Sequence, residues 1–180
     1  MEGAPALQGY YRFPAVWGDR VVFVSEDDLW EVPAGGGLAR RLTANLGAVS
    51  FPAFSPDGRW IAFTGREEGV PEVYVMDSAG GPARRLTHLG GPCTVLGWTP
   101  DGSKVLFASD FGQPVARVTG ICAVGLEGGL PEVLPLGHAV SVAFGPGGAC
   151  AIGRNNTDPA RWKRYRGGTA GEILVDADGS

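Results

Sequence analysis

The chain has 180 residues, enough for one compact unit with a full core, with 44% hydrophobic and 19% charged residues. Its net charge of −4 and pI near 5.1 exclude the basic field that draws proteins to nucleic acid or anionic lipid, and no partner of either class is expected. Met1 to Leu7 lacks the basic-then-apolar pattern of an export signal, and no apolar run approaches about 18 residues, so a cytoplasmic protein without a membrane segment is expected.

In chain order, the elements repeat. Trp17-Gly18-Asp19 is a tight turn leading into the apolar run Val21-Val22-Phe23-Val24, followed by Leu29-Trp30-Glu31-Val32, a glycine turn at Gly35 to Gly37, and Arg40-Arg41-Leu42-Thr43. The set returns as Phe54-Ser55-Pro56-Asp57-Gly58, Ile61-Ala62-Phe63, Val73-Tyr74-Val75-Met76, Gly80-Gly81 and Arg84-Arg85-Leu86-Thr87. A third copy reads Trp98-Thr99-Pro100-Asp101-Gly102, Val105-Leu106-Phe107, Ile121-Cys122-Ala123-Val124, Gly128-Gly129 and Glu132-Val133-Leu134-Pro135. A fourth, weaker copy begins with Phe144-Gly145-Pro146-Gly147-Gly148 and Ala151-Ile152, and continues to Ile173-Leu174-Val175-Asp176.

Short runs of β-branched and aromatic residues between Gly, Pro and Asp are strands. Pro-Asp-Gly sets a turn because Pro fixes φ, Asp bonds back to the backbone and Gly accepts positive φ. No sustained 3.6-residue apolar period is present, so no helix longer than a turn is expected. Four short strands in a period of about 44 residues are the mark of β-propeller blades. The sequence therefore predicts an all-β partial propeller over residues 1–180, with four-stranded antiparallel blades at 13–43, 51–87, 95–135 and 141–180, the last incomplete. Stopping inside a blade leaves an open edge, which favours a piece of a six- or seven-bladed ring.

Catalytic motifs are missing: there is no G-x-S-x-G elbow, H-E-x-x-H pair or phosphate loop, so no catalytic residue and no cofactor or metal is assigned. His88 and His138 occupy nearly matching points of the repeat, a sign of architecture. Cys93, Cys122 and Cys150 have no C-x-x-C spacing and read as buried free thiols. Asp176-Ala177-Asp178-Gly179-Ser180 has the alternating acids that open a calcium loop, but its position in the repeat makes it a turn. The one chemically distinctive stretch is an insertion in the fourth blade. Residues 154–166 hold Arg154, Arg161, Lys163, Arg164 and Arg166 against the single acid Asp158, together with Trp162 and Tyr165. Arginine captures carboxylates in two-point fashion, so these seven residues are the candidate contact for peptides or for another domain; a solvated loop with arginines stacked on its aromatics is the plainer alternative.

Phe54 to Phe63 resembles the WD-like repeat of Tol-system and peptidase propellers. Gly18-Asp19, Asp27-Asp28-Leu29-Trp30, Ser50 to Ser55, Ile152-Gly153-Arg154-Asn155 and especially Trp162-Lys163-Arg164-Tyr165-Arg166-Gly167-Gly168-Thr169 resemble the N-terminal propeller of the tricorn protease family. That resemblance implies a large cytoplasmic serine-type peptidase, assembled as a toroidal homo-oligomer that trims peptides. Its two propellers would gate substrates, and its nucleophile would lie in a later region of the parent chain. The archaeal form carries a basic pair in the loop after the second blade to hold a substrate carboxylate; here His88 to Val95 contains no Arg or Lys, leaving the Arg161 to Arg166 cluster as the substitute. The competing readings are a non-enzymatic Tol or WD-type interaction propeller and the cap of a prolyl-oligopeptidase-like enzyme.

Overall fold

The structure, a computed structural model, describes residues 9–44, 46–115, 118–155 and 170–178. As expected, these are all-β. The first sheet contains β1 (Arg12–Trp17), β2 (Arg20–Ser25), β3 (Asp28–Pro33) and β4 (Arg40–Arg41), and the second β5 (Ser50–Phe54), β6 (Trp60–Gly65), β7 (Glu72–Asp77) and β8 (Arg84–Arg85). The third contains β9 (Cys93–Trp98), β10 (Lys104–Ser109), β11 (Gly120–Gly125) and β12 (Glu132–Val133). In the fourth, β13 (Ser141–Phe144), β14 (Cys150–Arg154) and β15 (Glu172–Asp176) pair in that order. Every sheet is an antiparallel meander in chain order. The only helical element among the described residues is one 3-10 turn at Pro146–Gly148, and no helix there is long and apolar enough to cross a membrane.

The turns show why the repeat folds as it does. Asp57 accepts hydrogen bonds from the Ser55 hydroxyl and the Arg59 N–H, while the Ser55 hydroxyl oxygen accepts from Trp60 N–H. Thr99, Asp101, Ser103 and Lys104 repeat the arrangement, and the bonds from the Thr99 hydroxyl and the Ser103 N–H pull the Asp101 carboxyl down to about 2. Gly58 closes the second-sheet turn at φ 70°, and a Cβ there would lie 2.2 Å from the Trp17 ring, whose Nε1–H donates to Pro56 O. The first hairpin is thereby seated on the turn of the next sheet.

Apolar clusters lie between successive sheets. Val22, Val24, Leu29, Ile61, Phe63, Tyr74 and Met76 fill the space between the first and second. Ala62, Val73, Val75, Val105, Phe107, Cys122 and Val124 fill that between the second and third. Leu106, Ile121, Ala123 and Ile152 join the third to the fourth. Because strand side chains alternate in direction, β7 sends Val73 and Val75 to one neighbour and Tyr74 and Met76 to the other. This double-faced burial is what stacked blades require. Cys93 and Cys122 are buried as expected, with desolvation pushing their thiols up to about 12 and about 11, but Cys150, on the fourth sheet and packed against the third, is only half-buried.

Candidate functional site

Of the sequence-predicted contact residues, Arg154 alone lies among the described residues; Arg161, Trp162, Lys163, Arg164, Tyr165 and Arg166 fall outside them. Arg154 ends β14, and the chain re-enters the sheet at Glu172. The corresponding connection is only 26–27 in the first sheet, 66–71 in the second and 110–119 in the third, so the fourth carries the long version of a recurring loop. Arg154 is held in place: its Nε–H donates to His138 O at 2.8 Å. His138 in turn donates from Nδ1 to Thr119 O at 2.8 Å, and its Nε2 lies 3.3 Å from the Asn155 side-chain oxygen. His138 is thus a bracket between β11, β13 and β14, while His88 is exposed. Asn155 leaves the strand at φ 53°, a left-handed turn that redirects the chain into the insertion. The Thr119 hydroxyl is buried without a partner among the described residues, at the same corner.

Two further clefts were not anticipated. One of about 270 Å³ is lined by Asp19, Arg20, Glu31, Pro33, Leu38 and Arg40. Its arginines are already committed. Arg20 pairs with Glu31 and also donates to the Ser78 hydroxyl (2.9 Å) and carbonyl, and Arg40 bonds Glu31 at 2.6 Å and Ala79 O at 3.0 Å. Burial pushes the Glu31 carboxyl up, but hydrogen bonds from Arg20 and Arg40 outweigh it and hold the group below its ordinary value. With two acids facing two arginines, this cleft is an inter-sheet clamp rather than an anion trap. The other, about 240 Å³, is lined by the apolar residues Phe13, Pro14, Phe51, Pro52, Ala53, Val95 and Leu96 on the innermost strands. Phe13 and Phe51 share a repeat position, a bulge, and positive φ (50° and 51°), and their ring centroids are 4.3 Å apart. The signal was in the sequence: Phe-Pro-Ala occurs at both Phe13 and Phe51.

The turn that carries Asp176 is closed by a hydrogen bond from Asp178 N–H to Asp176 Oδ1 at 3.3 Å, and no group of three or more potential metal ligands occurs among the described residues.

A family profile described as the tricorn protease N-terminal β-propeller domain matches residues 8–180. The chain belongs to that family. It is 44% identical over 174 residues to tricorn protease homolog 1 of Streptomyces coelicolor, covering 97% of this chain and 16% of that protein. A putative tricorn-like protease N-terminal subunit from Sulfurisphaera tokodaii is 32% identical over 176 residues, covering 96% of this chain and 89% of that one. The crystal structure of the tricorn protease superposes with a TM-score of 0.82 at 33% identity, over 94% of this chain and 17% of that chain. A putative TolB from Agrobacterium tumefaciens reaches 0.73 at 21% identity, a likeness of fold alone. The chain therefore spans about one sixth of the long tricorn relatives. In this tricorn-family propeller the loop after the second sheet folds over an acid: Gly90 N–H donates to Glu72 Oε1 at 2.9 Å. That N–H is thereby committed to a carboxylate of the protein itself.

Proposed function

We propose that this chain is a non-catalytic propeller module of a cytoplasmic, oligomeric serine-type peptidase, and that it recognises or gates peptides. The four sheets are successive blades of a ring of six or seven. The observation that carries this reading is the match of residues 8–180 to a domain that precedes the remainder of proteins named tricorn proteases. Peptide carboxylates, or an acidic face of a neighbouring domain, meet Arg154 and the insertion residues Arg161, Lys163, Arg164 and Arg166, with Trp162 and Tyr165 supplying apolar surface. Arg154 supports this assignment because the His138 carbonyl fixes its guanidinium where the insertion begins.

The test is fluorescence polarisation with a labelled hexapeptide bearing a free C-terminal carboxylate and with its C-terminal amide. Combined Arg161→Gln, Lys163→Gln, Arg164→Gln and Arg166→Gln substitution is expected to weaken the acid peptide by about tenfold and flatten its salt dependence. Equal affinity for acid and amide, unchanged by the substitutions, would refute carboxylate recognition. Peptide hydrolysis by the purified chain that is blocked by a serine reagent would refute the non-catalytic assignment.

A further inference from the structure

Three sheets carry the same irregularity at the same place. Between the pairs Arg12↔Val24 and Ala15↔Val22, the two residues Phe13 and Pro14 stand against Phe23 alone. Between Ser50↔Thr64 and Ala53↔Ala62, Phe51 and Pro52 stand against Phe63 alone. In the third sheet Gly97 pairs with Leu106 and Val95 with Phe107, so Leu96 is the extra residue. These bulges, from three successive sheets, converge on the cleft of about 240 Å³ and supply its walls. The fourth sheet shows that the repeat does not require a bulge, since β13 and β14 pair residue for residue from Ser141↔Gly153 to Phe144↔Cys150. Two of the bulges are also strained. Phe13 and Phe51 hold φ of 50° and 51°, a left-handed conformation that a bulky side chain rarely adopts, and strain of this kind collects where a backbone clamps a ligand.

The lining defines the occupant. Among the described residues every side chain that lines the cleft is hydrocarbon, which disfavours a charged group inside it. An apolar cavity of about 150 Å³ is enough to hold benzene, so this volume admits one aromatic ring together with the carbon that carries it. The Phe13 and Phe51 rings lie 4.3 Å apart at 43°, and Phe51 is still 41% exposed, leaving aromatic surface for a third ring to meet. The strands β1, β5 and β9 each end their sheet, so main-chain N–H and C=O groups border the cleft, and Pro14 and Pro52 remove one N–H from each of two bulges. The border is therefore richer in acceptors than in donors, the complement of peptide N–H groups. We propose that the three bulges form a subsite for the aromatic side chain of a peptide lying across β1, β5 and β9. The inference rests on the peptide-recognition reading and adds the side chain that is selected. The bulges make the subsite by aiming the Phe13 and Phe51 rings where a regular strand would not place them.

The probe is a labelled hexapeptide amide, Gly-Gly-Phe-Gly-Gly-Gly, compared with its Gly-Gly-Ala-Gly-Gly-Gly counterpart, titrated into the intact chain and followed by polarisation. Neither peptide has a C-terminal carboxylate, so the comparison is independent of carboxylate capture at the insertion. Saturable binding of the phenylalanine peptide is expected, about tenfold tighter than that of the alanine peptide. Phe51→Gly should erase the preference while leaving the thermal melt close to that of the parent, because glycine accepts φ of 51° without strain. Leu130→Ser, at an exposed position of the third sheet, should leave the preference unchanged. If peptides with a free carboxylate bind but the two amides bind equally, the subsite is overturned and the peptide-recognition reading survives; if no peptide binds, both fall. An undiminished preference in Phe51→Gly, or sedimentation showing a self-associated chain that Phe51→Gly dissociates, also overturns the subsite.

Discussion

Strands β7 and β15 make an instructive pair. Both open on glutamate and continue with three large apolar residues, Val73-Tyr74-Val75 in one and Ile173-Leu174-Val175 in the other. Yet Glu72 is fully buried at 0% exposure, whereas Glu172 and all its followers are exposed. Residue type sets what a strand can become, and its neighbours decide whether it does. The second sheet is packed on both faces and closed by β8, so its polar groups must find partners inside the protein. Among the described residues the fourth sheet packs against the third alone.

The largest effects should come from breaking the doubly covered sheets. Phe63 and Phe107 are both 0% exposed, and truncating either to alanine should cost about 3–5 kcal/mol in a denaturant titration. Leu174→Ala on β15 should stay within about 0.5 kcal/mol of the parent. A comparable loss at Leu174 would show that β15 is covered in solution. Next comes the buried acid. Glu72→Ala leaves Arg85 without its interior partner, and a loss of about 3 kcal/mol is expected. Gly120 shows that the fold dispenses with the acid when arginine and threonine are absent too. A triple change of Glu72, Arg85 and Thr87 to Gly, Val and Pro, the residues of the third sheet, should therefore cost less than the single substitution.

The same contrast has a pH signature. Burial raises the Glu72 carboxyl, but hydrogen bonds from Thr87, Gly90 and Arg85 more than compensate, leaving it below its ordinary value of 4.5. Glu31 is lowered in the same way by Arg20 and Arg40. A depressed folded value means that the stabilisation is fully present above about pH 4.5 and is lost as pH falls through the folded value. Thermal melts between about pH 6 and pH 3 should show a steep acid loss for the parent and a shallower one for Glu72→Gln.

Much of this was legible from residues. Pro-Asp-Gly at Pro56 and Pro100 and the recurring apolar runs reveal strands and turns, because those signals are local. The family was legible from the stretch around Trp162 to Thr169, although the residues proposed there as contacts lie outside the described part of the chain. What the sequence concealed is cross-strand. Arg41-Leu42-Thr43 and Arg85-Leu86-Thr87 are visible as a repeat, but their acids lie 13 residues upstream and meet them only through strand pairing. The half-buried state of Cys150 is likewise a property of the neighbouring sheet and not of its own surroundings in sequence.

The smallest expected effect separates two clamps that occupy one repeat position. Arg40 and Arg84 both sit opposite the middle of the third strand and both reach the turn of the next sheet. Arg40 bonds Glu31 and Ala79 O, with the Glu31 carboxylate only 10% exposed. Arg84 has Glu127 at 3.5 Å, and that partner is 95% exposed. Solvent screening leaves the second pair almost nothing, so Arg84→Ala should change stability by less than about 0.5 kcal/mol. Arg40→Ala should cost about 1 kcal/mol, limited because Glu31 retains Arg20. Double-mutant cycles against Glu127→Ala and Glu31→Ala measure the two couplings directly. Equal couplings would mean that the turn contacts, and not desolvation of the carboxylate, determine how these sheets are joined.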